Sequence, residues 1–153
     1  MTETERSPAR GSSIESRHRA REVALQMLYQ CEVGRTPIAL VLESFWSEVA
    51  TDTVSDGALR TFASSLATGV VEQTAALDPV IAAAAEHWRV ERMNVVDRLI
   101  LRLAVYEFQH EADTPGKVII NEALELARSF SADESVRFIN GILDAVLKTL
   151  GRE

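Results

Sequence analysis

Cysteine occurs once, proline four times, and aromatic residues make up only 6% of the 153 residues. Each scarcity removes a class of protein. One thiol, Cys31, can form neither an internal disulfide nor a multi-cysteine metal site, so nothing calls for an oxidising compartment. Histidine is nearly as rare: His18, His87 and His110 lie in three separate segments with no metal-ligand spacing. No uninterrupted apolar run approaches the roughly 20 residues of a membrane span. The opening MTETERSPARGSS is polar and has no signal-peptide core. Glycine-rich phosphate loops of the GxxxxGKS/T and GxGxxG types are missing. The expectation is a cytoplasmic, non-enzymatic protein without metal or cofactor. Cys31 then reads as a small buried hydrophobe, and the Asp133–Glu134 pair as an ordinary helix start.

What is abundant is aliphatic. Hydrophobic residues make up 46% of the chain, rich in Ala and Leu, and their spacing is helical almost throughout. Residues 1–14, Ser, Thr, Pro, Gly and charge, have almost nothing to bury and read as a disordered, arginine-containing arm. Residues 15–153 read as one all-α domain of about seven helices. The first runs from about Ser16 to Val33 with Gly34 as its stop, burying Ala20, Val23, Ala24, Met27, Leu28 and Cys31. Thr36 and Pro37 open the second. A third starts near Ser55, and its Gly69 fits a close helix approach. Asp78 and Pro79 repeat the cap-then-proline signal and open a fourth. The fifth follows Asn94; VVDRLILRLAVYEFQH is apolar on nearly every side, with Arg98, Arg102 and Gln109 as its polar stripe, which places it at the centre of the bundle. TPGKVIINEALELARSF forms the sixth, and the last runs from about Asp133 to Gly151.

Charge is unevenly distributed. Net charge is −7, yet residues 6–21 hold five arginines against Glu15 alone, while residues 22–153 hold eleven basic and twenty acidic side chains. A basic arm on an acidic body suits a protein that meets a polyanion at one end. A solubilising tail has the same charge count. The cluster Arg17, His18, Arg19 and Arg21 falls at the expected start of the first helix, where the helix dipole disfavours cations by about 0.3–1 kcal/mol each.

Three stretches carry a family resemblance: RHRAREVALQMLYQ at 17–30, VDRLILRLAVYEF at 96–108, and INEALELARSFSADESVRFINGILD at 120–144. In them the chain resembles the NusB family of bacterial transcription antitermination factors. The resemblance implies a seven-helix bundle that binds the boxA element of nascent ribosomal RNA together with NusE, a small-subunit ribosomal protein, within the RNA polymerase antitermination complex. It implies no catalysis and no membrane association. Arg17, His18, Arg19 and Arg21 then match RNA-contacting positions, with Arg10 on the arm; guanidinium groups suit phosphates and unpaired bases.

The same match carries Phe138 and Asn140 to the RNA path and Asp97 and Arg98 to the NusE-facing surface. Packing alternatives stand beside these roles. Phe138 fits the core, Asn140 an interhelical hydrogen bond, Gly141 close helix packing, Asp97 a capping box with Asn94, and Tyr29 a packing position with its hydroxyl at the surface. Two rival functions remain at this stage. One is an RNA-binding domain of the type that precedes ribosomal RNA cytosine methyltransferases, although no cofactor-binding domain follows here and the chain reads as a complete small protein. The other is a helical interaction protein without RNA affinity.

Overall fold

The structure, a computed structural model, describes residues 10–48 and 57–152, with side chains over 15–47 and 57–152. Among these residues every regular element is helical: α1 (Arg10–Gly34), α2 (Ile38–Glu48), α3 (Gly57–Ala84), a 3₁₀ turn (Val90–Arg92), α4 (Val95–His110), α5 (Gly116–Phe130) and α6 (Asp133–Leu150). The expected disorder of residues 1–9 and the expected helix start at Ser55 lie outside the described residues. Residues 10–14, assigned by sequence to the arm, are the first turn and more of α1.

Six α-helices stand where about seven were expected because the third and fourth are one. Asp78 and Pro79 sit inside α3 instead of opening a new helix. Proline in a helix interior removes the bond to the carbonyl four residues back. Here that carbonyl belongs to Ala75, on the exposed side of the helix like Pro79 itself, where water can satisfy it. Asp78 caps nothing. Its carboxylate accepts two hydrogen bonds from Arg102 of α4, Nε to Oδ1 and Nη2 to Oδ2, both 2.8 Å.

The α4 helix lies at the centre, touching α1, α3, α5 and α6. It buries Leu99, Ile100, Leu101, Leu103, Ala104, Val105 and Phe108, as a helix apolar on nearly all sides must. Its N-cap is the expected one: Asn94 Oδ1 accepts from the backbone N–H of Val96 at 2.8 Å. Of the expected polar stripe only Gln109 is open to solvent. Arg102 is buried against Asp78 and Glu32, and Arg98 donates to Glu32 and to the Met93 carbonyl, each at 3.0 Å. Gly69 of α3 faces Tyr106 of α4 so closely that a Cβ at 69 would overlap the tyrosine ring and hydroxyl.

The other expected glycine contact is absent: a Cβ at Gly141 would meet nothing within 4 Å. Gly151 ends α6 in the left-handed conformation, φ +70°, with its N–H bonded back to the last turn. Beyond it, Arg152 donates to the Phe108 carbonyl in the last turn of α4 at 2.7 Å and to two carbonyls of the α4–α5 connection, Thr114 at 2.6 Å and Ala112 at 3.3 Å.

Candidate nucleic-acid interface

The α1 helix runs antiparallel to α4, so its basic start meets the C-terminal half of α4. Arg21 is 3% exposed and Glu107 2%. Two 2.8 Å hydrogen bonds, Nε to Oε2 and Nη2 to Oε1, join them in a bidentate pair. Burial disfavours the Arg21 charge, yet the Glu107 carboxylate outweighs it and holds the guanidinium above its ordinary pKa. Arg21, which the resemblance carried to the RNA surface, is an internal tie between α1 and α4. The pairing was not legible in the sequence because the partner lies 86 residues away, beyond the reach of any local pattern.

The other cations of the cluster sit at the surface, each with an acid beside it. His18 Nδ1 lies 2.7 Å from Glu122 Oε1 on α5, and Nε2 lies 3.3 Å from Glu22. The Glu122 hydrogen bond, against partial burial, raises the His18 pKa above 6.5. Arg19 donates to Glu22 at 3.1 Å. Arg17 packs its guanidinium 4.1 Å above the centre of the Phe62 ring and approaches Glu111 at 4.0 Å. Arg17 and Arg19 remain about half exposed, so their charge can reach a ligand. The helix-dipole difficulty also disappears: α1 begins at Arg10, and residues 17–21 stand past the first turn, where the dipole no longer acts. The side chain of Arg10 lies outside the described residues.

Phe138 and Asn140 belong to a different place. Ser135, one turn before them on α6, bonds Asp97 near the start of α4, about ten residues or 15 Å along α4 from Glu107. Phe138 is half-buried, against the expected choice of core or open surface, with its ring edge-to-face with Trp88 at 5.6 Å. Asn140 is exposed and makes no interhelical hydrogen bond.

Asp97 is 6% exposed and accepts hydrogen bonds from Ser131 Oγ at 2.6 Å and Ser135 Oγ at 2.8 Å. It is a first-turn acid whose N–H donates to Asn94 Oδ1 at 3.3 Å, one half of the expected capping box, while its carboxylate latches α4 to the α5–α6 turn. Arg98, held by Glu32 and the Met93 carbonyl, is likewise committed within the fold. Cys31 is only partly buried. Tyr29 and Phe130 are exposed, and with Leu25, Gln26, Gln30 and Val96 they line a shallow apolar groove between α1, α4 and the end of α5. No group of three or more His, Cys, Asp or Glu among the described residues could hold a metal ion. None of the helices is long and apolar enough to cross a membrane.

Sequence reasoning missed Phe62, Glu107, Glu122 and Trp88, each of which becomes meaningful only through a neighbour distant in the chain. Six helices around one apolar core, with partly exposed guanidinium groups at the surface, make this a helical-bundle protein. The family model described as "NusB family" matches residues 18–148, and the chain belongs to that family. Its relatives include the transcription antitermination protein NusB of Koribacter versatilis strain Ellin345, 45% identical over 138 residues, 90% of this chain and 92% of that one. The solved structure of T. maritima NusB is similar with a TM-score of 0.78 at 34% identity, over 86% of this chain and 90% of that one. A structure of antitermination factors NusB and NusE in complex with dsRNA matches with a TM-score of 0.79, over 89% of this chain and 98% of that one; at 20% identity this likeness is one of fold.

Proposed function

We propose that this chain is a cytoplasmic, non-catalytic transcription antitermination factor that binds boxA RNA together with NusE in the RNA polymerase antitermination complex. Family membership across residues 18–148 is the observation that carries the proposal. The structure supplies matching chemistry. Arg17 and Arg19 project from α1 with their charge accessible, and His18 stands between them, so an RNA strand can replace their acidic neighbours with phosphates and release counterions. The Tyr29–Phe130 groove offers apolar area beside the Arg98–Glu32 pair for a protein partner.

Filter binding with boxA RNA, alone and with NusE, tests the proposal. NusE should tighten RNA binding, and RNA should tighten NusE binding by the same factor, because linkage is reciprocal. Replacing Arg17 and Arg19 together with Ala should weaken RNA binding and flatten its log–log salt dependence by about 1.4, the share of two single-strand phosphate contacts. Unchanged affinity in that variant would remove α1 from the RNA surface.

A further inference from the structure

One ring serves two arginines of α1. Phe62 stands on α3, half-buried and packed against the core. Arg17 Cζ lies 4.1 Å from the centre of its ring and Arg21 Cζ 5.5 Å. The two arginines are one turn apart, so their side chains leave α1 on the same face. Their states are opposite. Arg21 is fixed inside the bundle by Glu107, and with the core packing it holds the ring in place. The Arg17 side chain is 47% exposed, and the Glu111 carboxylate beside it stands at 4.0 Å, the outer limit of an ion pair.

How a cation is held decides what an incoming phosphate must displace. Arg19 donates to Glu22 at 3.1 Å, and that carboxylate occupies the same kind of N–H donor that a phosphate needs. An aromatic ring attracts a cation through its π-face and takes none of those donors. A guanidinium is planar and weakly hydrated, so it can stack by its face and hydrogen-bond by its edge at once. Stacking also orders the side chain beforehand. An arginine that becomes ordered only on binding loses its rotamer freedom at that moment, whereas Arg17 is already confined by the ring in the free protein. A phosphate arriving at Arg17 therefore exchanges only the weak Glu111 approach.

We propose that Phe62 is a positioning residue for RNA binding: it holds Arg17 by the face of the guanidinium, leaves the N–H donors to a phosphate, and stays in contact with Arg17 in the complex. The proposal rests on the RNA-binding function above and extends it to α3, which supplies no cation to the interface and acts through the α1 arginine it carries.

The test is a double-mutant cycle read by filter binding with boxA RNA at fixed salt. Phe62→Leu keeps the apolar character and removes the ring; it should weaken RNA binding about threefold. In the Arg17→Ala background it should have no further effect, because the ring acts only through that side chain. Phe62→Tyr, which keeps the ring face, should bind as the unaltered protein does. Arg17→Lys keeps the charge and replaces the planar group by a compact ammonium; it should lose about as much as Phe62→Leu, with an unchanged melting curve. NMR reads the bound state. The Phe62 ring current shifts the Arg17 side-chain protons, and the shift should persist at RNA saturation. An equal loss from Phe62→Leu with and without Arg17 would make the ring a packing residue and overturn the proposal. Tighter binding in Phe62→Leu, or loss of the ring-current shift when RNA binds, would make the ring a competitor of RNA and overturn it as well. Unchanged affinity in Arg17→Ala would overturn it while leaving the antitermination reading intact. Absence of RNA binding by the unaltered protein, with or without NusE, would overturn both.

Discussion

Two groups of arginines stand at opposite ends of α4, and they differ in what surrounds them. At the C-terminal end the α1 cluster is dense in sequence but ringed by Glu22, Glu107, Glu111 and Glu122. At the N-terminal end Arg92 and Arg137 are isolated in sequence and, among the described residues, have no acid within ion-pair distance. A count of charges along the chain ranks the first group far above the second. The charge available to an incoming anion is closer to even, because one arginine of the first group is internal and the others must exchange an existing neighbour for phosphate.

The comparison breaks most visibly at Glu107. Glu107→Ala would leave Arg21 buried with only the 3.7 Å approach of Glu122, and loss of one partner of a buried pair costs about 3–5 kcal/mol; denaturant unfolding should show it. Replacing both partners, Arg21→Met with Glu107→Leu, should recover most of that loss and leave RNA affinity unchanged, since Arg21 does not reach the surface. Weakened RNA binding in that folded double variant would return Arg21 to the interface.

Asp97 gives the next largest effect. Asp97→Ala deprives two serine hydroxyls of their acceptor and should cost about 1–3 kcal/mol, with Asp97→Asn milder. The measurement is again unfolding, paired with a NusE titration. Selective loss of NusE affinity at unchanged stability would show that the carboxylate faces the partner.

Gly141→Ala should go the other way. The position is exposed and helical with open space around the missing Cβ, so the substitution should stabilise by up to about 1 kcal/mol. A decrease in melting temperature would reveal a constraint on the backbone at Gly141 that the open surroundings do not show.

The smallest effect is a pH dependence. Glu122 holds the His18 pKa above 6.5, so the protonated ring is favoured more in the folded than in the unfolded chain. That contribution is complete below pH 6.5 and fades as pH rises through the folded value. His18→Gln should flatten the stability profile in that window and leave it unaltered well above it; NMR titration of the ring would confirm the direction. An unaltered profile in the variant would mean that the Glu122 contact adds nothing measurable to folding.

Most of the fold was legible because helix caps and apolar periodicity are local. Asn94 and Gly151 mark α4 and α6 by their own chemistry, and the apolar face of α1 reads directly from Ala20 to Leu28. The Asp78–Pro79 signal misled for an equally local reason: the same dipeptide serves as a helix start and as an interior step whose acid bonds a distant arginine. The candidate site was less legible. Arg21 and Asp97 look like surface charges until Glu107, Ser131 and Ser135 are brought to them. Trp88 has no sequence signature at all, because its exposure comes from a turn held by a single strained backbone position, Glu86 at φ +28°.

The contact between Gly69 and Tyr106 ties two positions that variation would otherwise treat separately. Tyr106 is stacked on His110 at 4.3 Å, and His110 in turn meets Gln73 at 3.0 Å, so the ring cannot swing aside without undoing both. Any side chain arriving at 69 would have to be accompanied by a smaller residue at 106. Among descendants of this sequence the two sites should change as a pair, and grafting either helix into a relative should succeed only when both residues travel together.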